Sequence, residues 1–354
     1  MILTSILLQH FRSYTQQKFD FDNGFTVIIG PNTAGKTNLS EAVNLLLIGK
    51  SFRTSSEIDM IEFGQEVARV QGLLEENLND KLKLEVAIAS PQVTGGRFSK
   101  KFLMNGVPKL RSAFFGLLPL VLFRPEELEI IIDGPSLRRN FLDTVLEQTD
   151  KIYANANRTY ERSLRQRNAL LRAAQETGNR NAEQFAYWDD LLIENGQILT
   201  QKRSEFLDFV NKADQTIFYL QTTYDKSTIS RERLDEYQVA ETGAGVTLVG
   251  PHRDDFFVTM KVGKEEKDIR HFGSRGQQRL AVLQLKMLQI EYIVEKVGKR
   301  PLLVLDDIFS ELDNSHIQLV LDNVQKSQSI LTTTHKEFVP QALLKSATVI
   351  ELEK

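Results

Sequence analysis

The sequence predicts an α/β protein of two lobes built around one phosphate-binding loop, with a helical arm inserted between the lobes. Three observations lead there. "TVIIGPNTAGKT" (residues 26–37) reads as an apolar strand, a Gly-containing loop and a helix start. "PLLVLDD" (301–307) is an apolar run ending in two acids, the pattern of a buried parallel strand. Between them, over about 135–214, apolar residues recur at helical spacing instead of alternating.

Taken in chain order, the first third is rich in strands. "ILTSILLQHF" and "KFDFDNGFTVIIG" are β-type runs, the second turning at Asp22, Asn23 and Gly24. "KTNLSEAVNLLLIG" is the one helix here, stopped by Gly49. "VARVQGLLEE" and "KLKLEVAIAS" follow as strands, the latter alternating at Leu82, Leu84, Val86 and Ile88. In "KKFLMNGVPKLR" the Asn105-Gly106 pair marks a hairpin.

From Pro135 to Asp214 the period changes. Leu142, Val145, Ile152, Ala156, Tyr160, Leu164, Leu171 and Ala174 recur at three, four or seven. "ETGNRN" breaks the run, and Phe185, Trp188, Leu192, Leu199, Phe206 and Val210 continue it. Two such helices make an antiparallel hairpin on the order of 45–60 Å long. From about Gly243, strands and helices alternate through "FFVTMKV", a helix striped by Leu280, Leu283, Met287, Ile290 and Val294, then "PLLVLDD", "SILTTTH" and "ATVIEL". The expected divisions are 1–124 for the first lobe, 125–240 for the arm and 241–354 for the second lobe.

Composition narrows the function classes. A chain of 354 residues with 41% hydrophobic and 26% charged residues has an ordinary globular balance. Its net charge of −3 makes no whole-chain case for nucleic acid, so any basic surface is local. The absence of cysteine excludes disulfides and thiolate metal sites and fits a reducing cytosol. "MILTSILLQHFRSY" lacks the basic start of a signal peptide, and no apolar run is long enough to span a bilayer. The expectation is a cytoplasmic protein without a membrane partner.

"GPNTAGKT" fits the G-x-x-x-x-G-K-[ST] phosphate loop, in the strand-then-helix context that its mechanism needs. ATP is the expected ligand, contacted by Gly30, Pro31, Asn32, Thr33, Ala34, Gly35, Lys36, Thr37 and Asn38. Successive backbone N–H groups wrap the phosphates, Lys36 reaches the β- and γ-phosphates, and the Thr37 hydroxyl ligates Mg²⁺. The matching metal carboxylate is Asp306, where the strand 302–305 runs out. Asp307 is the expected base or orienter for the attacking water. His335, after "SILTTT", is placed to sense the γ-phosphate. A chance Gly-rich turn accounts for the loop alone but not for strand, helix and acid together.

"GSRGQQRLAV" (273–282) feeds a flexible loop into a helix whose N-terminal amides suit a phosphate, yet it lies far from the only nucleotide loop. The order of phosphate loop, Ser-x-Gly-Gln loop, acid pair, "SELD" (Ser310 to Asp313) and His resembles the ABC-type ATPase head, and in particular the SMC-like heads of DNA repair. "PEELEIIIDGPSLRRNFLD" (125–143), "GPHRDDF" (250–256) and "SRGQQRLAVLQLK" narrow the resemblance to the RecF family across nearly the whole chain. The resemblance implies that Ser274, Arg275, Gly276 and Gln277 cap nucleotide held by a second copy, with "SELD" crossing the same interface. It further implies a cytoplasmic, ATP-dependent homodimer that binds gapped or junction DNA and acts with RecR, RecO and RecA-type proteins, in support of the SOS response.

The chain departs from the wider ABC pattern in three places, one of them the uncommon Thr33-Ala34 pair inside the phosphate loop, where backbone groups contribute most. No glutamine stands out as a Q-loop residue, since "FRPEEL" occupies that junction, and Asp307 stands where transporters carry Glu. The shorter carboxylate predicts slow turnover, suited to a switch. The alternative reading, the ATPase subunit of a membrane transporter, would want that Q-loop and a groove for a coupling helix. A nuclease would want a second acidic metal cluster.

For DNA, the candidates are Arg97, Lys100, Lys101, Lys109 and Arg111 in the first-lobe hairpin, and Arg138 and Arg139 at the arm's base. Arg158, Arg162 and Arg165, with Arg172, recur on one arm face. Such stripes meet phosphates without reading bases. Ordinary solvated faces paired with the nearby Glu161, Glu176 and Glu183 are the competing reading. Arg12 and Arg53 flank the phosphate loop in sequence, as candidates for nucleotide or DNA.

Overall fold

A computed structural model of the chain describes all residues except 55, 77–79, 264, 309–316, 318–319, 321–325 and 354, and the side chains of residues 128 and 342. "SELD" therefore lies outside the described residues.

In chain order the elements are β1 (Ile2–Phe11), β2 (Tyr14–Asp20), β3 (Phe25–Ile29), α1 (Lys36–Ile48), β4 (Val67–Glu75), β5 (Lys81–Ala89), β6 (Ser99–Met104), β7 (Val107–Lys109) and β8 (Leu120–Phe123). There follow α2 (Glu129–Ile132), α3 (Pro135–Thr149), α4 (Lys151–Thr177), α5 (Ala182–Lys212), β9 (Gln221–Asp225), α6 (Arg231–Glu236) and α7 (Gln238–Ala244). The last part holds β10 (Asp255–Val262), β11 (Glu265–Asp268), α8 (Ile269–Phe272), α9 (Arg275–Val297), β12 (Leu302–Asp306), β13 (Ser329–Thr333) and β14 (Thr348–Glu351).

The chain divides into two compact units, residues 1–127 with 293–354, and residues 128–292. The first is two sheets with a helix between them. One is a six-stranded antiparallel sheet, ordered β2-β1-β4-β5-β6-β7; the other is five-stranded, ordered β14-β3-β13-β12-β8, with every pairing parallel. α1 contacts strands of both sheets. That explains why its apolar residues do not keep to one stripe: Leu39, Ala42, Val43, Leu45, Leu46, Leu47 and Ile48 are all buried, as a helix covered on every side requires. β12 (LLVLD) and β13 (SILTT) are buried at every position, the continuous pattern of parallel strands covered on both faces.

The second unit is built on α4 and α5, the antiparallel pair foreseen from the helical period. Asp150 caps α4 by accepting from the amides of Ile152 and Tyr153, and Gly178 ends it in the left-handed region. Asn181 caps α5 in the same manner. The three-stranded antiparallel sheet β11-β10-β9 belongs to this unit. Phe256, Val258 and Met260 of β10, with Ala281, Leu285, Leu288 and Tyr292 of α9, share one core with Phe206 and Val210 of α5. Shared burial thus groups residues 241–292 with the arm, whereas the sequence suggested a boundary at 240/241.

Candidate nucleotide site

The phosphate loop leaves the C-terminal end of β3, an inner strand of the parallel sheet between β14 and β13. The loop is shaped by its own backbone. Gly30 N–H donates to Thr333 O at 3.3 Å, and Ala34 N–H to Pro31 O at 3.2 Å. Thr33 has φ +77°, an outlying conformation for a β-branched residue. Gly35, at the α1 N-cap, has φ +98°. A Cβ there would lie 2.6 Å from the hydroxyl of Tyr14, so both conformation and space demand glycine. No side chain caps α1 and no acid stands in its first turn, leaving its amides and the positive end of its dipole for an anion.

Lys36 is buried, its Nζ donating to the carbonyls of Gly30 at 2.7 Å and Pro31 at 2.9 Å. Burial lowers its pKa, while the charges of Asp307 and Asp306 act in the opposite sense. The strand-end acids therefore lie close enough to the loop lysine for their charges to act on it. Asp306 is buried, and its Oδ1 accepts from Ser40 Oγ at 3.1 Å and Thr332 Oγ1 at 2.6 Å. Both donors fall on one oxygen. Asp307 turns out of the strand with φ +53°, its N–H donating to Thr332 O at 3.1 Å.

His335 follows β13, two residues beyond Thr333, and its N–H donates to Thr333 Oγ1 at 3.3 Å. Its ring is exposed and meets Phe338 edge-on, with centroids 5.5 Å apart. Lys36, Thr37 and Ser40 from α1, Asp306 at the end of β12 with Asp307 just beyond it, and Thr332 of β13 with His335 just beyond that strand thus gather at the carboxyl-terminal edge of one sheet. Ser40 and Thr332 escaped the sequence reading. Ser40 lies one helical turn beyond Lys36, a signal that only its contact with Asp306 makes meaningful.

Around the loop, Asn38 donates through Nδ2 to Ser13 Oγ at 2.8 Å and accepts from Arg53 Nη1 at 2.8 Å. Arg12 is held by Glu41 and by the Asp59 carbonyl. The Tyr14 hydroxyl is buried without a hydrogen-bond partner, and burial pushes its pKa up to about 12.

The residues fit a nucleotide phosphate and a magnesium ion. The uncapped α1 amides, the buried ammonium and the Oδ2 of Asp306 supply the donor set that a phosphate and a hard cation use together. Among the described residues no cluster of three or more His, Asp or Glu side chains could hold a metal by itself.

The Ser-x-Gly-Gln loop belongs to the second unit. Ser274 Oγ accepts from Gln277 N–H at 3.3 Å, and Gln277 Oε1 accepts from Ser274 N–H at 2.9 Å. This reciprocal capping box opens α9. Gln277 braces the turn, while Ser274, Arg275 and Gly276 are exposed.

The basic candidates separate sharply. Arg97, Lys101, Lys109, Arg158, Arg162 and Arg165 are exposed. Arg138 is a correction: it is 1% exposed, with Nε and Nη2 on the two oxygens of Asp255 at 2.6 and 3.0 Å, so no DNA phosphate reaches it. Lys100 is also taken, by Glu57 and by the Gly49 carbonyl at 2.9 Å. Arg111 donates to Ile48 O at 2.9 Å and covers the Phe115 ring. Arg139 donates to Asp254 O at 2.7 Å and is half-buried. The family-like segments 135–143 and 250–256 make one buried network. In it Arg203 donates to Asp143, Asp254 and the Pro251 carbonyl, at 2.8, 3.1 and 2.7 Å.

The family profile described as RecF/RecN/SMC N terminal domain matches residues 2–353. The DNA replication and repair protein RecF of Exiguobacterium sp. is 33% identical over 377 aligned residues, covering 100% of this chain and 98% of that protein. The protein of the same description from Bacillus cereus is 33% identical, covering 99% and 97%. A solved structure of the recombination mediator RecF with ATP, from the RecFOR pathway, superposes with a TM-score of 0.84 at 30% identity, covering 96% and 93%. The chain belongs to the RecF family of DNA replication and repair proteins, with the ATPase head of the wider RecF/RecN/SMC group.

Proposed function

We propose that this chain is a magnesium-dependent ATP switch that dimerises head to head on ATP and clamps DNA in recombinational repair. The observation that carries the reading is the meeting, on one sheet edge, of the uncapped α1 amides and Lys36 with Asp306 and Asp307. Gly30 to Asn38 hold the phosphates. Thr37 and Asp306 would hold the metal, and Ser40 and Thr332, both donating to Asp306 Oδ1, keep that carboxylate from rotating. Bound Mg-ATP supplies the phosphoanhydride bond and the cation that neutralises its phosphate charge. Lys36 transfers its donors from the Gly30 and Pro31 carbonyls to phosphate oxygen, Asp307 orients a water and accepts its proton, and His335 senses the terminal phosphate.

Ser274, Arg275 and Gly276 are exposed to a second copy, and the Ser274 hydroxyl keeps its hydrogen to donate while its oxygen closes the capping box. The exposed Arg97, Lys101, Lys109, Arg158, Arg162 and Arg165 suit DNA phosphates, and gapped or junction DNA is the proposed substrate. The related structure's place in the RecFOR pathway supports RecR and RecO as partners. Loading of a RecA-type recombinase, and hence the SOS response, completes the proposal. Among the described residues no helix is long and apolar enough to cross a membrane, and a cytoplasmic setting is proposed.

The test is the solution mass of the Asp307→Asn chain by light scattering, with and without Mg-ATP. A mass that doubles only with ATP, and no longer doubles when Ser274→Arg is added, supports the trans cap. A monomer at saturating ATP, with DNA and partner present, sinks it.

A further inference from the structure

The five-stranded sheet has a second end. At its amino-terminal edge, where the chain enters β3, β8, β12 and β13, lies a cavity of about 270 Å³. Ile2, Leu117 and Pro301 are among its apolar walls, and Lys299, Arg300 and Lys326 give it three cations. The nucleotide loop is at the other end of the same strands. Five residues of β12 or β13 separate the two, about 17 Å at the usual rise, so they are separate sites.

Three backbone amides where the strands begin around this cavity are already paired. Leu302 N–H donates to Pro119 O at 2.8 Å, Leu303 N–H to Gln328 O at 2.9 Å, and Ser329 N–H to Gly24 O at 3.0 Å. The Gln328 side chain is likewise consumed, by Leu3 N–H and by the carbonyls of Leu3 and Asp22. What the cavity still offers is on side chains. Ser327 is 7% exposed, and its hydroxyl has no hydrogen-bond partner, an expensive condition for a buried polar group. Among the described residues neither Arg300 nor Lys326 has a carboxylate within ion-pair distance. Lys299 draws the Glu76 carboxylate to 2.6 Å, and that contact is the leading reason why the pKa of Glu76 is lowered. Among the described residues, three cations against one carboxylate leave a positive pocket in a chain whose net charge is −3.

We propose that this cavity binds a phosphate group, either free phosphate or a small phosphate monoester, independently of the nucleotide site. Its unclaimed groups are donors: a guanidinium fork, an ammonium and a hydroxyl. A tetrahedral dianion accepts from all of them at once, whereas a carboxylate uses fewer. The volume equals that of roughly nine waters, more than a bare phosphate fills. The apolar walls give an organic substituent a place to pack.

The test uses the full chain carrying Lys36→Ala, which weakens the phosphate loop, with inorganic phosphate and deoxyadenosine monophosphate as probes in equilibrium dialysis. Saturable binding of one equivalent is expected. Arg300→Ala combined with Lys326→Ala lowers the affinity about tenfold or more, and Arg300→Lys with Lys326 intact keeps most of it. Both substituted side chains are exposed, so melting temperature and ATP hydrolysis stay unchanged in a chain with an intact Lys36. Tighter binding of the inorganic ion assigns the site to free phosphate, and tighter binding of the nucleotide assigns it to a monoester. Absence of saturation by either probe at millimolar concentration overturns the proposal. So does binding indifferent to Arg300 and Lys326, or a polyglutamate peptide that binds and that phosphate cannot displace. If Lys36→Ala does not fold, phosphate protection of Lys326 from acylation in the wild-type chain gives a readout local to the cavity, and lack of protection refutes it.

Discussion

Arg12 grips Glu41 with both arms of its guanidinium, Nε on Oε2 at 2.8 Å and Nη2 on Oε1 at 2.7 Å. Glu41 is 0% exposed and sits on α1 one turn beyond Thr37. Ser51 adds a third hydrogen bond at 2.5 Å. The β1–β2 turn is therefore bolted to the helix that presents the phosphate loop. Arg12 itself takes φ +54° to reach, an unfavourable backbone that the ion pair must offset.

Arg12→Ala is accordingly expected to destabilise the chain by on the order of 3 kcal/mol, because it strands a buried carboxylate. Urea unfolding measures the loss. Adding Glu41→Gln should recover part of it, and a double mutant no more stable than Arg12→Ala would show that the buried charge is not the cause.

Gly35→Ala tests the loop's geometry. The new methyl lies 2.6 Å from the Tyr14 hydroxyl, on a backbone at φ +98°. Binding of a fluorescent ATP analogue should be lost. Tyr14→Ala added to it should restore part of the affinity, since it clears the collision but leaves the left-handed strain of about 1 kcal/mol. Restoration to the wild-type level would mean that space alone dictates this glycine.

Asp307→Asn should retain ATP affinity and lower kcat by roughly 10²–10⁴-fold, the range for removing a base. Thr332→Val should instead raise the magnesium concentration needed for half-maximal hydrolysis, because it withdraws the 2.6 Å donor that orients Asp306. Steady-state hydrolysis against magnesium concentration separates the two, and equal effects on kcat and on magnesium would argue against distinct roles.

His252 makes stability depend on pH. Its Nε2 donates to Thr247 O at 3.1 Å, so Nδ1 accepts from Tyr160 O–H at 2.7 Å, which fixes a neutral ring. Burial lowers its pKa from 6.5 to about 4, helped by the cations Arg253, Arg139 and Arg167. The unfolded chain takes up a proton that the native chain refuses. Stability is thus fully present above about 6.5, falls as the pH drops towards about 4, and is level below. The loss is on the order of 3 kcal/mol. His252→Gln should remove this slope while keeping the one due to carboxylates. Parallel slopes in urea titrations at pH 7.5 and 4.5 would refute it.

What could be read from the sequence follows from where the determining contacts lie. The β3–loop–α1 unit is local, and its spacing carries the chemistry in a dozen consecutive residues. The acid pair was legible because a run of apolar residues ending in carboxylates suits few places. Asp306's partners were not, since Ser40 and Thr332 reach it from 266 and 26 residues away. The grouping of β10 and α9 with the arm was hidden for a similar reason. Periodicity tells which face of an element is buried but not against what.

The arginines carry the same lesson into the last prediction. Arg138, Arg158, Arg162 and Arg165 look alike as helical basic residues, yet Arg138 meets a carboxylate 117 residues away and disappears from the surface, whereas Arg165 reaches only Glu161, one turn away at 3.9 Å, and stays exposed. Replacing Arg158, Arg162 and Arg165 together by alanine should leave the melting temperature unchanged, weaken DNA binding for all sequences alike, and reduce the salt slope by about 2–3. Arg138→Ala should do the reverse, costing about 3–5 kcal/mol by stranding Asp255 while the salt slope of the still-folded fraction holds. Fluorescence anisotropy at several salt concentrations, alongside thermal melts, reads both quantities. An unchanged slope in the triple mutant would remove DNA from the arm and leave the exposed Arg97, Lys101 and Lys109 of the first unit as its contact.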